Sequence, residues 1–204
     1  MRKAFLSFLI LAMIIFAGFV QGGQGQSKKF AAKAFVFDPE DTDAVTGAWV
    51  TRLGLPDSGD SNHALVLEKS TVSATNALAG AKIRWLKDKL VTDLTEVGFD
   101  YKNGGHCTAI APRFAVTIDG ADYILGCAAG TSLPAPDDVV NWTRVRFGPA
   151  EFAAAGFPVT GTIEDARIIF DQGTDDGTGS VYLDNIDVNG SLIGKPGKAK
   201  APRL

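Results

Sequence analysis

The sequence predicts an all-β protein: an antiparallel two-sheet β-sandwich of jelly-roll type that follows an N-terminal signal peptide. Three observations predict it. Strand-like runs recur along the chain, separated by Gly/Asp/Asn/Pro turn clusters. Several of those runs alternate apolar and polar residues with period two, as sheets with one wet face require. Helix signals are few, and the strand–helix alternation of a parallel sheet is missing.

The first 25 residues read as an export signal. Arg2 and Lys3 form a basic opening, an apolar run follows from Ala4 to Val20, and QGGQGQ supplies small residues for cleavage between Gly22 and Gly25. The 17 residues of that run fall short of the ~20 that a spanning helix needs. After cleavage no segment of spanning length is left, so the expectation is a secreted or periplasmic protein without a membrane span. The sandwich is expected over residues 30–190, and a basic, disordered tail over 191–204, where GKPGKAKAPRL lacks apolar periodicity.

The strands are expected near Ala48–Leu53, Ala64–Glu68, Ala81–Leu86, Leu94–Tyr101, Arg113–Ile118, Asp122–Cys127, Thr143–Phe147, Ala166–Phe170 and Val181–Val188. In AKIRWL, Ala81, Ile83 and Trp85 share one face and Lys82 and Arg84 the other. In TEVGFDY, Val97, Phe99 and Tyr101 face one way and Asp100 the other. The strongest hairpin signal is RFAVTIDGADYILGC. Asp119-Gly120 suits a two-residue turn in which both central residues take positive φ, and it pairs Ile118 with Ala121, Val116 with Tyr123 and Phe114 with Leu125. Between Pro149 and Phe157, a proline at the start and Gly156 as a stop predict a short helix.

Charge narrows the partners. Residues 30–190 hold 12 lysines and arginines against 23 carboxylates, a net −11. An acidic body argues against nucleic acid as a partner, because phosphates require a positive field. Cys107 and Cys127 are the only cysteines. In an oxidising compartment the expectation is one disulfide, with Cys127 opposite Pro112 and Cys107 folding back to reach it.

Two stretches carry a resemblance. GSVYLDNIDVNG, from Gly179 to Gly190, follows the strand ARIIFDQGT and resembles the closing strand pair of carbohydrate-binding-module and galactose-binding-like jelly rolls. YKNGGHCTAIAPRFAVTIDGADYILGC resembles a block in uncharacterised secreted bacterial proteins. The first resemblance implies the sandwich architecture and a ligand-binding role. It also implies a structural calcium near the chain ends, to which an Asp such as Asp184 would contribute. The second implies no activity.

Candidate site residues follow from face and chemistry. In WTRVRF, Trp142 shares parity with Arg144 and Arg146, whereas Trp49 and Trp85 share faces with aliphatic residues. The expectation is therefore a shallow polar patch with Trp142 as an aromatic platform, and Arg144, Arg146, Arg84 and Arg113 as hydrogen-bonding ligand contacts. The bland reading of the same residues is a solvated outer sheet. The Gly-rich loop DQGTDDGTG puts Asp171, Asp175 and Asp176 close together before the last strand, and with Asp184 they are the candidate calcium ligands. Plain turns demand the same Asp/Gly composition.

No H-E-x-x-H, G-x-S-x-G or P-loop motif is present. Glu68, Asp100 and Glu164 are carboxylates that a glycosidase could use, but an acidic chain offers many such pairs. The leading reading is a secreted, non-catalytic sandwich binding a carbohydrate or cell-surface ligand. A structural or protein-interaction domain is the alternative, and a glycoside-active hydrolase the third.

Overall fold

A computed structural model describes residues 31–56, 62–73, 76–172 and 177–194. The expected signal peptide, Asp175, Asp176 and the end of the tail lie outside the described residues. The strands are β1 (Ala32–Phe37), β2 (Val45–Val50), β3 (Ala64–Lys69), β4 (Leu78–Ile83), β5 (Lys89–Leu90), β6 (Val97–Lys102), β7 (Arg113–Ile118), β8 (Ala121–Gly126), β9 (Thr131–Pro134), β10 (Trp142–Phe147), β11 (Thr162–Phe170), β12 (Gly179–Val188) and β13 (Ser191–Ile193).

They build two antiparallel sheets. The six-stranded sheet runs β1-β4-β11-β7-β8, with β5 pairing to β11. The seven-stranded sheet runs β2-β3-β12-β6-β10-β9, with β13 pairing to β12. The chain passes between the sheets repeatedly, so the strands at the centre of each come from distant parts of the sequence. The predicted two-sheet sandwich is what forms.

Its core is the set of inward-facing residues. Phe99 and Phe147 of the seven-stranded sheet meet Phe114 of the six-stranded sheet, with ring centroids 5.7 Å apart for Phe99–Phe114 and 6.0 Å for Phe114–Phe147. Ile83, Ile118, Ile168, Leu65, Leu67 and Leu183 fill the space around them. Burying side chains of this size stabilises by roughly 1.5–3 kcal/mol each.

The β7–β8 hairpin adopts the predicted register: Ile118 pairs with Ala121, Val116 with Tyr123 and Phe114 with Leu125. Asp119 and Gly120 both take positive φ, 46° and 81°. The Cys127 N–H donates to the Pro112 carbonyl at 2.9 Å, and Cys107 is disulfide-bonded to Cys127 with Cα atoms 5.2 Å apart. The predicted helix is a short α1 (Pro149–Ala154), opened by Pro149, with Glu151 reaching back to the Gly148 N–H at 2.8 Å.

Boundaries differ in places. The first predicted strand lies earlier, at β2, because residues from Thr51 onward turn out of the sheet. The strand predicted to Leu86 ends at Ile83, and Arg84–Leu86 form a 3₁₀ turn. Strands β1, β5, β9 and β13 were not among those expected. The last of them corrects the tail boundary: Ser191 and Ile193 are buried, and Ile193 pairs with Ile186. The sandwich therefore continues past residue 190.

Candidate functional site

The outer face of the seven-stranded sheet carries Trp142, Arg144 and Arg146, as parity requires. That face is not wet. Residues after β2 and before β10 fold across it. Trp142 is 4% exposed and packs with Leu55, Ala64 and Ala135, with Leu53 and Tyr182 alongside. The expected platform is thus a buried anchor: the face was read correctly, and its exposure was not.

The two arginines are held by carboxylates on neighbouring strands. Asp100 accepts from Arg144 Nε and Nη2, both at 2.9 Å, from Arg146 Nη1 at 3.2 Å, and from Asn185 Nδ2 at 3.0 Å. Hydrogen bonds to Asp100 raise the pKa of the Arg144 guanidinium. Arg146 also donates from Nη1 to the carbonyls of Phe99 (3.0 Å) and Val145 (2.9 Å), and its Nε lies 3.0 Å from Asp187 Oδ2. Burial pushes the Asp187 carboxyl up to about 6, against the pull of Arg146. This charge-assisted network, bidentate at Arg144, engages the Arg144 Nε and Nη2 and the Arg146 Nη1 and Nε donors, and Arg146 Nη2 is buried without a hydrogen-bond partner.

Asp100 and Asp184 stand opposite each other on β6 and β12, and both are 0% exposed. The register shifts between Asp184 and Asp187, and Asn185 takes φ +44° there. Such a bulge re-aims side chains. Asp184 accepts the Leu55 N–H at 2.6 Å and the Asn185 N–H at 2.7 Å. Gly54 is required beside it: a Cβ there would overlap the His63 carbonyl and come within 2.6 Å of Asp184 Oδ2.

Of the candidate calcium ligands, the two among the described residues, Asp171 and Asp184, are not brought together. Asp171 accepts from Arg113 Nη1 at 2.9 Å and Nη2 at 2.6 Å, beside the six-stranded sheet. Asp184 lies on the opposite sheet, beneath the Leu55 loop. Among the described residues no group of three or more His, Cys, Asp or Glu is arranged to hold a metal ion. The carboxylates considered for hydrolysis are likewise divided: Asp100 is locked in its ion pairs, Glu68 belongs to β3 and Glu164 to β11.

The remaining expected contact, Arg84, leads to a different place. It is exposed on the 3₁₀ turn that follows β4. With Lys82, Ile83, Lys87, Glu164 and Asp165 it lines an open cleft of about 550 Å³. A bulge in β11 between Ile163 and Asp165 makes Glu164 the extra residue, and both acids border the cleft. Arg167, opposite Lys82, pairs with Asp122 (3.2 Å) and Asp165 (3.4 Å). Phe35 and Phe37 share the Lys33 face of β1 by alternation. The Phe35 ring lies over Gly80, where a Cβ would meet it at 2.8 Å, and Phe37 is 53% exposed.

Sequence reasoning noticed Lys82 and Arg84 as a polar face but did not connect them to Lys87, Glu164 and Asp165. The missing signal was the pairing of β4 with β11, which no local pattern encodes. Among the described residues no helix is long and apolar enough to cross a membrane. No protein-family model matches the chain, and no curated protein matches it.

Proposed function

We infer that this protein is an exported, non-catalytic β-sandwich that binds a carbohydrate or related cell-surface ligand in the cleft on the six-stranded sheet. The observation that carries the reading is the contrast between the two outer faces. On the seven-stranded sheet the arginines are spent on internal carboxylates. On the six-stranded sheet, cationic and anionic side chains line an open cleft, and the Phe35 ring lies over Gly80, two residues along β4 from Lys82. Sugar recognition uses such a mixture: donors and acceptors for hydroxyls, and an apolar ring face to cover the C–H side of the pyranose. The disulfide and the export signal read from the sequence support an extracellular setting. The resemblance of GSVYLDNIDVNG to carbohydrate-binding jelly rolls points the same way.

A glycan-array screen of the processed protein tests the reading. Binding to at least one glycan, reduced by Arg84→Ala but not by Arg113→Ala, is the expected result. A silent array rejects it and favours the second reading, a protein-interaction domain. That alternative has its own observation: Leu133, Val139 and Val140 are all strongly exposed on and just after edge strand β9, and β9 is exposed at every position.

A further inference from the structure

We propose that the ligand of this cleft is an anionic glycan, one whose sugars carry carboxylate or sulfate groups; the proposal rests on the binding reading above. Strand register supplies the argument. Lys33 of β1 stands directly opposite Lys82 of β4, and Lys82 directly opposite Arg167 of β11. Like charges facing each other across strands destabilise a sheet. Arg167 is neutralised by Asp122 and Asp165. Lys33, Lys82, Arg84 and Lys87 form no ion pair with any described residue.

Four cations thus crowd one end of the six-stranded sheet of a body whose net charge is −11. Of the acids lining the cleft, only Glu164 is not already engaged by Arg167. A local positive field of this kind concentrates anions, and the guanidinium of Arg84 can grip a carboxylate or sulfate with two parallel hydrogen bonds. Glu164 defines what else the ligand must bring. A carboxylate accepts hydrogen bonds from hydroxyls and repels any anionic group set against it, so the ligand's acid groups face the cations and its hydroxyls face Glu164. A hydroxyl-rich sugar acid satisfies both sets of side chains, and a nucleic acid satisfies only one.

The processed protein, disulfide intact, is titrated with polygalacturonate, dextran sulfate and uncharged dextran at about 0.05 and about 0.5 M NaCl, a range over which exposed charge pairs become screened. Binding is expected to one or both charged polymers, with the pair distinguishing carboxylate from sulfate, and to weaken at the higher salt. Lys82→Gln combined with Arg84→Gln should weaken it by roughly tenfold with the melting temperature retained, since both side chains are exposed. Glu164→Gln should strengthen it. Equal binding of uncharged dextran, indifference to the double variant, or no binding to either charged polymer overturns the proposal. If the array above nevertheless responds to neutral glycans, the binding function stands and only the anionic assignment is lost. A silent array removes both.

Discussion

At the scale of single residues, Trp142 and Asp187 show how a correct face can hide a wrong environment. Alternation puts Trp142 with Arg144 and Arg146 on the outside of the sheet, and that is where it lies. What period two cannot report is that a loop crosses above it, since Leu55 and Ala135 come from segments without a strand pattern. Truncating a buried tryptophan leaves a large cavity, so Trp142→Ala should cost about 3 kcal/mol or more in denaturant unfolding. A loss under ~1 kcal/mol would mean the ring is not an anchor. Asp187 gives a pH signature. Its carboxyl titrates near 3.8 in the unfolded chain and about 6 in the folded protein, so the folded state holds a proton the unfolded state lacks between those values. The ionised carboxylate is therefore a cost to folding, full above about pH 6 and gone below about pH 4. Whatever the fixed cost of losing the ion pair to Arg146, the parent should gain melting temperature relative to Asp187→Asn as pH falls from about 7.5 through that window. A parent that loses ground to the variant toward acid contradicts the assignment.

At the scale of elements, what was legible was local. The β7–β8 hairpin was readable to the residue because its turn chemistry and its apolar alternation fix the register independently. The disulfide followed from the same hairpin, since Cys127 emerges next to Pro112. Closing a loop of 20 residues by a covalent bond stabilises by about 3 kcal/mol. Cys107→Ser with Cys127→Ser should lose that much, and thiol labelling of the unreduced, denatured parent should find no free thiol. Strand β13 was illegible because three residues give no periodicity to read. Ending the chain at Gly190 removes buried Ile193 from its place against Ile186. The truncated protein should be less stable by roughly 2 kcal/mol, measured by thermal or urea unfolding.

At the scale of the molecule, the two outer faces have opposite characters, and neither was visible in the sequence. The six-stranded face joins Lys33, Lys82 and Arg167 from segments separated by some 50 and 85 positions, and only strand order makes them neighbours. The seven-stranded face does the same with Asp100, Arg144 and Asp184. The tether between Leu55 and Asp184 belongs to this scale too, for it joins residues 129 positions apart. It predicts an unusual clock in heavy water. Leu55 sits in a connection rather than a ladder, yet its amide is buried and bonded to a carboxylate on a central strand. Its deuterium uptake should therefore be as slow as that of β6 or β12, opening only with the whole domain. Asp184→Ala should release it to exchange in step with the surface turns, and an amide that exchanges fast in the parent would show that the loop opens on its own.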